Sequence, residues 1–314
     1  MKYQRCIITK RKVIKMEKNN VLFEGVYSAT FSIYDKEMNV IKPSIEKLIA
    51  YNLKNGIKGF YVGGNTGECT VLPNKTRMQM LEAVKENAGD ASIIAHIGAG
   101  HLDDTTALLE HANSVGVDAI SSLPPSLTAY YKPEEIIEYY KYLAKNSKRP
   151  VIAYVTPVLT CDPIWFAEEI MKIENVAGIK LTIPNYYIFE KMKLVNGGNI
   201  NVLNGPDECM LAGLIMGADG AIGTTYNLMP KTACAIYDNF MSGNIKEAQA
   251  HQHKLNRFID TIVGNNLSVW KSILSVMGID AGYTVAPSIM PTDEKVKELI
   301  KRLESFGCTE EMLG

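Results

Sequence analysis

The chain has 314 residues, 46% of them hydrophobic, enough to bury one large α/β unit or two smaller domains. Its 33 Lys and Arg balance 34 Asp and Glu to a formal net charge of −1, spread along the chain, so there is no basic footprint for nucleic acid. No apolar run approaches the ~20 residues of a membrane helix, and the six cysteines, Cys6, Cys69, Cys161, Cys209, Cys234 and Cys308, lack CxxC or zinc spacing, so reduced thiols in a cytoplasmic protein are expected.

The chain opens with MKYQRCIITKRKVIK, strongly basic but with an apolar stretch, CIIT, too short for a signal-peptide core. Residues 1–20 are expected to be a flexible basic tail. From Val26 onward, short β-rich apolar runs alternate with helical patterns, which implies βαβ units and a parallel sheet. The expected strands are VYSATF from Val26, GFYVGG from Gly59, SIIAHIG from Ser92, AISSLP from Ala119, PVIAYVTP from Pro150, VAGIKLT from Val176, NINVLNG from Asn199 and GAIGTT from Gly220. Helices such as KPSIEKLIAYNLKNG, KTRMQMLEAVKENAG and PEEIIEYYKYLAKNS lie between them, opening near Pro or Ser and closing at Gly or Asn as caps require.

Eight such pairs predict a (β/α)8 TIM barrel over residues 21–244. A doubly wound open sheet is the competitor, but the first strand, VYSATFSIYD, is not followed by its glycine fingerprint. After Tyr226 the strands stop. The stretches IKEAQAHQHKLNRFIDTIVGN, LSVWKSILSVMG and DEKVKELIKRLESFG predict a C-terminal helical appendage over 245–314, packed on the barrel without a separating linker.

In a barrel the chemistry sits where the strands end. After the second strand, GGNTGECT (Gly63 to Thr70) can present backbone N–H groups beside Asn65 and Thr66, a nest for a carboxylate or phosphate, although its glycines can equally serve only the turn. His96 on the third strand has no spaced partner and reads as a core or neighbouring residue. On the fifth strand, Ile152, Tyr154 and Thr156 share a face, so a phenol can enter the barrel mouth and relay a proton, or simply pack.

On the sixth, Gly178, Lys180 and Thr182 share the face opposite Ile179 and Leu181. A desolvated lysine either finds a carboxylate or gives up its proton and attacks a ketone, forming an iminium. The seventh strand ends NGPDE, where Asp207 and Glu208 can cap a helix or accept from a polyol, and Thr224 and Thr225 at the end of the eighth add hydroxyls. His251 and His253, two apart on a helix, cannot share a metal, and no metal motif is found.

With Lys180, Tyr154 and GGNTGE in place, the sequence resembles the pyruvate-dependent class I aldolases of the N-acetylneuraminate lyase and dihydrodipicolinate synthase superfamily, from about Phe23 to Met290. GFYVGGNTGE, VIAYVTP, VAGIKLT and GADGAIGTTYN stand in the family's order. Within it the chain looks like the N-acetylneuraminate (sialic acid) lyase branch, whose G-x-D-E segment is matched by Gly205, Asp207 and Glu208. The synthases instead carry an arginine soon after the strand-five tyrosine, and YVTPVLTCDP has none.

The resemblance implies a Schiff base on Lys180, proton transfer by Tyr154, and the keto-acid carboxylate held by Asn65 and Thr66. It implies a sugar pocket of Thr182, Gly205, Asp207, Glu208 and Thr224, with sialic acid, pyruvate and N-acetylmannosamine as small-molecule partners. The iminium is itself the electron sink, so no cofactor or metal is implied; a homotetramer is. The alternatives are a 2-keto-3-deoxy sugar acid aldolase or a dihydrodipicolinate synthase-like enzyme with the same chemistry, and a silent barrel that binds sialic acid or pyruvate. The chain departs from the family pattern at Ser32-Ile33, usually Thr-Pro, at Asn65, usually Ser or Thr, and at Pro206, usually Tyr. The loop LPPSLTAYYKPEE also departs, leaving open whether Tyr130 or Tyr131 reaches a neighbouring site.

Overall fold

The computed structural model of the protein describes residues 22–125, 130–262 and 267–313. The tail expected over 1–20 lies outside the described residues. Eight parallel strands close into a barrel in sequence order. They are β1 (Gly25–Ala29), β2 (Gly59–Val62), β3 (Ser92–His96), β4 (Ala119–Ser122), β5 (Val151–Val155), β6 (Val176–Leu181), β7 (Asn201–Asn204) and β8 (Gly220–Gly223). Closure is made by β1 on β8, with Gly25 opposite Gly220 and Ser28 opposite Gly223.

Each strand is followed by a helix: α1 (Lys42–Lys54), α2 (Asn74–Asn87), α3 (Leu102–Val115), α4 (Pro133–Asn146), α5 (Pro163–Ile170), α6 (Tyr186–Leu194), α7 (Met210–Ile215) and α8 (Pro230–Met241). Proline in the first turn starts α1, α4, α5 and α8, where its missing N–H goes unneeded. Asp162 caps α5 by accepting from the amides of Ile164 and Trp165.

Strand alternation divides the apolar residues into two layers. Tyr27, Ala29, Tyr61, Ile94, Ile152, Tyr154, Leu203 and Ile222 fill the barrel interior. Ile93, Ile120, Ala153, Val155, Ile179, Leu181 and Val202 face outward into the larger layer beneath the helices.

The C-terminal segment forms α9 (Ile245–Ile262), α10 (Leu267–Val276), α11 (Asp293–Ser305) and α12 (Thr309–Leu313). The last exceeds the three helices expected, because five residues are too few to show a helical period. It is held instead by a specific bond, the Glu311 carboxylate accepting from the amide and hydroxyl of Thr232 at the start of α8. Leu255, Phe258, Ile273 and Leu303 of these helices belong to the same buried layer as the barrel's outward face. A second expectation is adjusted at β8, which stops at Gly223; Thr224 and Thr225 lead into a 3-10 turn, Thr225–Asn227.

On β6, the register with β5 shifts between Val151 and Ile152, and Gly178 then lies so close to β7 that a Cβ there would meet the Asn201 carbonyl oxygen at 2.1 Å. Only glycine lets the two strands pair at this level. Gly178→Ala should therefore lower the urea unfolding free energy by about 1–3 kcal/mol, the usual cost of forcing atoms into a packed interior. A variant that unfolds at the wild-type urea midpoint would show that β6 and β7 tolerate the extra carbon.

Candidate active site

Lys180 is the fifth residue of β6 and, with Ile179 and Leu181 directed outward, its side chain points into the barrel mouth. It is only 6% exposed. Its Nζ lies 4.3 Å from the ring centroid of Tyr61 and 4.2 Å from that of Tyr154. Among the described residues no carboxylate comes within ion-pair distance of it, although other lysines find one, as Lys193 does on Asp219 at 2.6 Å. A buried ammonium costs several kcal/mol, and a desolvated aromatic face returns about 2 kcal/mol. The tyrosines thus hold the amine in place of a counter-ion.

Beside them sits His96, with ring centroids 6.0 Å from Tyr61 and 6.4 Å from Tyr154. Its Nε2 accepts from the Leu123 amide at 3.1 Å, so Nδ1 carries the proton and donates it to the Gly63 carbonyl, also at 3.1 Å. Burial, followed by the positive charges of Arg77 and Lys180, holds its pKa well below the usual imidazole range. His96 is therefore a neutral positioning group, in keeping with its expected place in the core. The Tyr61 phenol donates to Ser121 at 2.9 Å, and the Tyr154 phenol lies 3.5 Å from the Thr182 hydroxyl.

The turn after β2 is tight because glycine permits it. Gly63 adopts φ +75°, and a Cβ on Gly67 would meet the Gly63 Cα at 2.9 Å. The carbonyls of Gly64 and Asn65 point into the turn, accepting from Cys69 at 3.2 Å and Glu68 at 3.0 Å. Since the N–H of each peptide lies opposite its carbonyl, the amides of Asn65 and Thr66 point out of the turn.

Thr66 is buried, and its hydroxyl meets that of Thr224 at 2.6 Å, joining the ends of β2 and β8. Asn65 is exposed, with its side-chain oxygen turned to the Cys69 thiol at 3.5 Å. From below, the buried Arg77 guanidinium donates to the carbonyls of Cys69 at 3.2 Å, Gly63 at 3.4 Å and His96 at 2.9 Å. Ser32 adds a bond to the Gly67 carbonyl at 2.9 Å.

A cleft of about 420 Å³ opens at the mouth and gathers Thr182, Gly205, Asp207, Glu208 and Thr224, all expected from the sequence. Gly205 is required there, since a Cβ would overlap the Thr182 hydroxyl at 1.9 Å. Asp207 is buried, with Oδ2 accepting from both the amide (2.8 Å) and the hydroxyl (2.6 Å) of Thr225. Burial raises its pKa to about 6, against the lowering effect of those two bonds. Glu208 is exposed.

Tyr130 and Tyr131 do not line this cleft, being 82% and 44% exposed. Sequence reasoning missed Ile259, Ile262 and Trp270, which close the cleft from α9 and α10; on a helix they look like ordinary core. It also missed Tyr61, although the alternation from Gly59 through Tyr61 to Gly63 places it on the inward face. Among the described residues no group of three or more His, Cys, Asp or Glu could hold a metal ion, and no helix is long and apolar enough to cross a membrane.

Residues 22–305 match the model of the dihydrodipicolinate synthetase family. The chain is 32% identical over 289 residues to an N-acetylneuraminate lyase of Clostridium perfringens, covering 89% of this chain and 99% of the relative. Among solved structures it is similar to CdNal from Clostridium difficile in complex with mannosamine, with TM-score 0.84 and 30% identity over 90% of this chain and 99% of the other. It is also similar to a catalytic lysine mutant of Ruminococcus gnavus sialic acid aldolase, with TM-score 0.85 and 28% identity over 92% and 98% of the two chains.

The raised Asp207 pKa has a signed consequence for stability. The folded state holds this proton more tightly than the unfolded chain, so the contribution is fully present below about pH 3.8 and is lost as pH rises through about 6. Relative to Asp207→Asn, the wild type should lose about 3 kcal/mol of unfolding free energy between these limits. Urea titrations of both proteins at pH 4, 5, 6 and 7 measure this; a difference that stays flat across the series would mean that the carboxyl is well solvated.

Proposed function

The chain belongs to the dihydrodipicolinate synthetase family, and we propose that it is an N-acetylneuraminate lyase, reversibly cleaving N-acetylneuraminate to pyruvate and N-acetylmannosamine. The observation that carries this reading is the buried Lys180 amine, seated on the faces of Tyr61 and Tyr154 with no carboxylate in reach among the described residues. The other deeply buried lysine, Lys271, is paired with a carboxylate, whereas a nucleophile must remain free of one. The named lyases among its relatives, matched over nearly their whole length, support the same substrate.

In this mechanism the neutral Lys180 amine attacks the C2 ketone of the open-chain sugar acid, and loss of water leaves an iminium. The C4 hydroxyl gives up its proton, with Tyr154 assisting, as the C3–C4 bond breaks. The bonding pair moves to C3 and into the iminium, forming an enamine, and N-acetylmannosamine leaves as the aldehyde. Protonation at C3 and hydrolysis then release pyruvate and restore the amine. The iminium accepts the electrons, so the reaction calls for no cofactor or metal.

The substrate carboxylate would be held by the outward amides of Asn65 and Thr66 and by the Thr66 hydroxyl. Thr182, Gly205, Asp207, Glu208 and Thr224 would line the polyol tail. The strand-five loop offers no arginine for a second carboxylate. We place the enzyme in the cytoplasm as a homotetramer.

Pyruvate release from N-acetylneuraminate, coupled to lactate dehydrogenase, should be seen with wild type and fall to background in Lys180→Ala. Borohydride in the presence of pyruvate should add a pyruvate-derived mass to Lys180 only in the wild type. Release from a shorter 2-keto-3-deoxy sugar acid alone would reassign the substrate, and binding without turnover, indifferent to Lys180→Ala, would make the protein a binder. Glu208→Gln should raise KM for N-acetylneuraminate about tenfold, the worth of one hydrogen bond to a charged group, while leaving the trapping of pyruvate intact.

A further inference from the structure

The turn that presents the Asn65 and Thr66 amides is fixed by a side chain to which the proposed chemistry assigns no role. Glu68 stands at φ +58°, a left-handed conformation that non-glycine residues adopt only when their surroundings impose it. Its carboxylate is buried. One oxygen accepts from the Tyr34 phenol at 2.7 Å and the Val285 amide at 3.3 Å, and the other from Lys271 Nζ at 2.9 Å. The Lys271 side chain is wholly buried in α10, donates also to the Tyr283 carbonyl, and lies 4.1 Å over the Tyr34 ring. Burial and the Glu68 charge both raise the Tyr34 pKa, keeping the phenol a donor.

The neighbour of Lys271 on α10 is Trp270, which lines the cleft beside Asp207 and Glu208. One helix therefore borders the cleft with one residue and braces the turn with the next. Trp270 borders the sugar side, and Lys271 reaches through Glu68 to the turn on the keto-acid side. We propose that Lys271 and Glu68 are a positioning pair, through which α10 sets the turn that receives the keto-acid carboxylate relative to the Lys180 amine. This rests on the aldolase reading of the site.

The pair touches no substrate atom, so its signature is selective. A substrate bearing a carboxylate should depend on it, and a carbonyl compound without one should not. The test is borohydride trapping at Lys180 with pyruvate and, separately, with acetaldehyde, comparing wild type with Glu68→Gln/Lys271→Met, which removes both charges while conserving volume. The expected result is a rate of pyruvate trapping at low concentration reduced at least tenfold, through a raised half-saturating concentration, with acetaldehyde trapping within twofold of wild type.

Equal losses with both carbonyls, or no loss with either, would overturn the positioning role. Should the double variant not fold, Tyr34→Phe decides. It removes one bond to Glu68 and leaves the ion pair, so a pyruvate-selective loss supports the proposal and an unchanged ratio overturns it. Failure of wild type to trap pyruvate at all would instead overturn the aldolase reading itself.

Discussion

An amine kept out of water at the mouth of a closed barrel, with no carboxylate beside it among the described residues, must be stabilised by the walls it faces. Here those walls are the rings of Tyr61 and Tyr154, inward-facing residues of β2 and β5, which meet edge to face with centroids 6.2 Å apart and form a corner for Lys180 on β6. Other polar groups at this level are arranged so as not to disturb the amine. His96 is locked as a neutral tautomer between a carbonyl and an amide, so it adds no like charge to the site. Arg77, another buried cation, is satisfied by three backbone carbonyls. A free carboxylate beside Lys180 would lower the energy of the ammonium and remove its use as a nucleophile.

Backbone carbonyls at Arg77 have a second effect. Turning the carbonyls of Gly63 and Cys69 down to the guanidinium, and those of Gly64 and Asn65 into the turn, leaves the Asn65 and Thr66 amides pointing out of the turn. Outward peptide N–H groups of this kind suit an anion by orientation alone. The turn is fixed from three directions, by Arg77 below, Ser32 on β1's side and Glu68 on α10's side. Such over-determination permits a left-handed glutamate to persist.

The sequence carried the barrel because each strand announces itself within a few residues, and the alternation of period two then assigns Lys180, Tyr154 and Thr182 to the inward face. Asp207 and Glu208 were legible for a related reason, since a strand end followed by helix-opening carboxylates is a local pattern, while Gly205 came only with the family resemblance. Contacts between distant segments were not legible. Glu68 and Lys271 are 203 positions apart, and nothing around Lys271 in LSVWKSIL distinguishes it from an exposed helix lysine. Trp270, Ile259 and Ile262 likewise fit a plain amphipathic pattern, and only the packing of α9 and α10 over the mouth turns them into cleft residues. The orientation of Asn65 was hidden too, because its amide side chain could face the cleft or, as found, the Cys69 thiol.

Asp207 and Glu208 look equivalent in the sequence, yet the fold makes them chemically different. Asp207 commits one carboxylate oxygen to both donors of Thr225, tying the end of β7 to the turn after β8. Its other oxygen is close to Gly223, where a Cβ would stand 2.2 Å away. With α9 also holding the Asp207 carbonyl through Gln252 at 3.0 Å, this residue is first a joint of the barrel rim. Glu208, exposed and held to α9 through its backbone carbonyl, which accepts from Asn256, has no partner for its carboxylate among the described residues. Recognition of hydroxyls along a sugar tail would then fall mainly to Glu208, with Asp207 setting where Glu208 and Thr224 stand. On this division of labour, changes of sugar preference across related chains are most easily reached at the exposed carboxylate, because altering the buried one also loosens the rim.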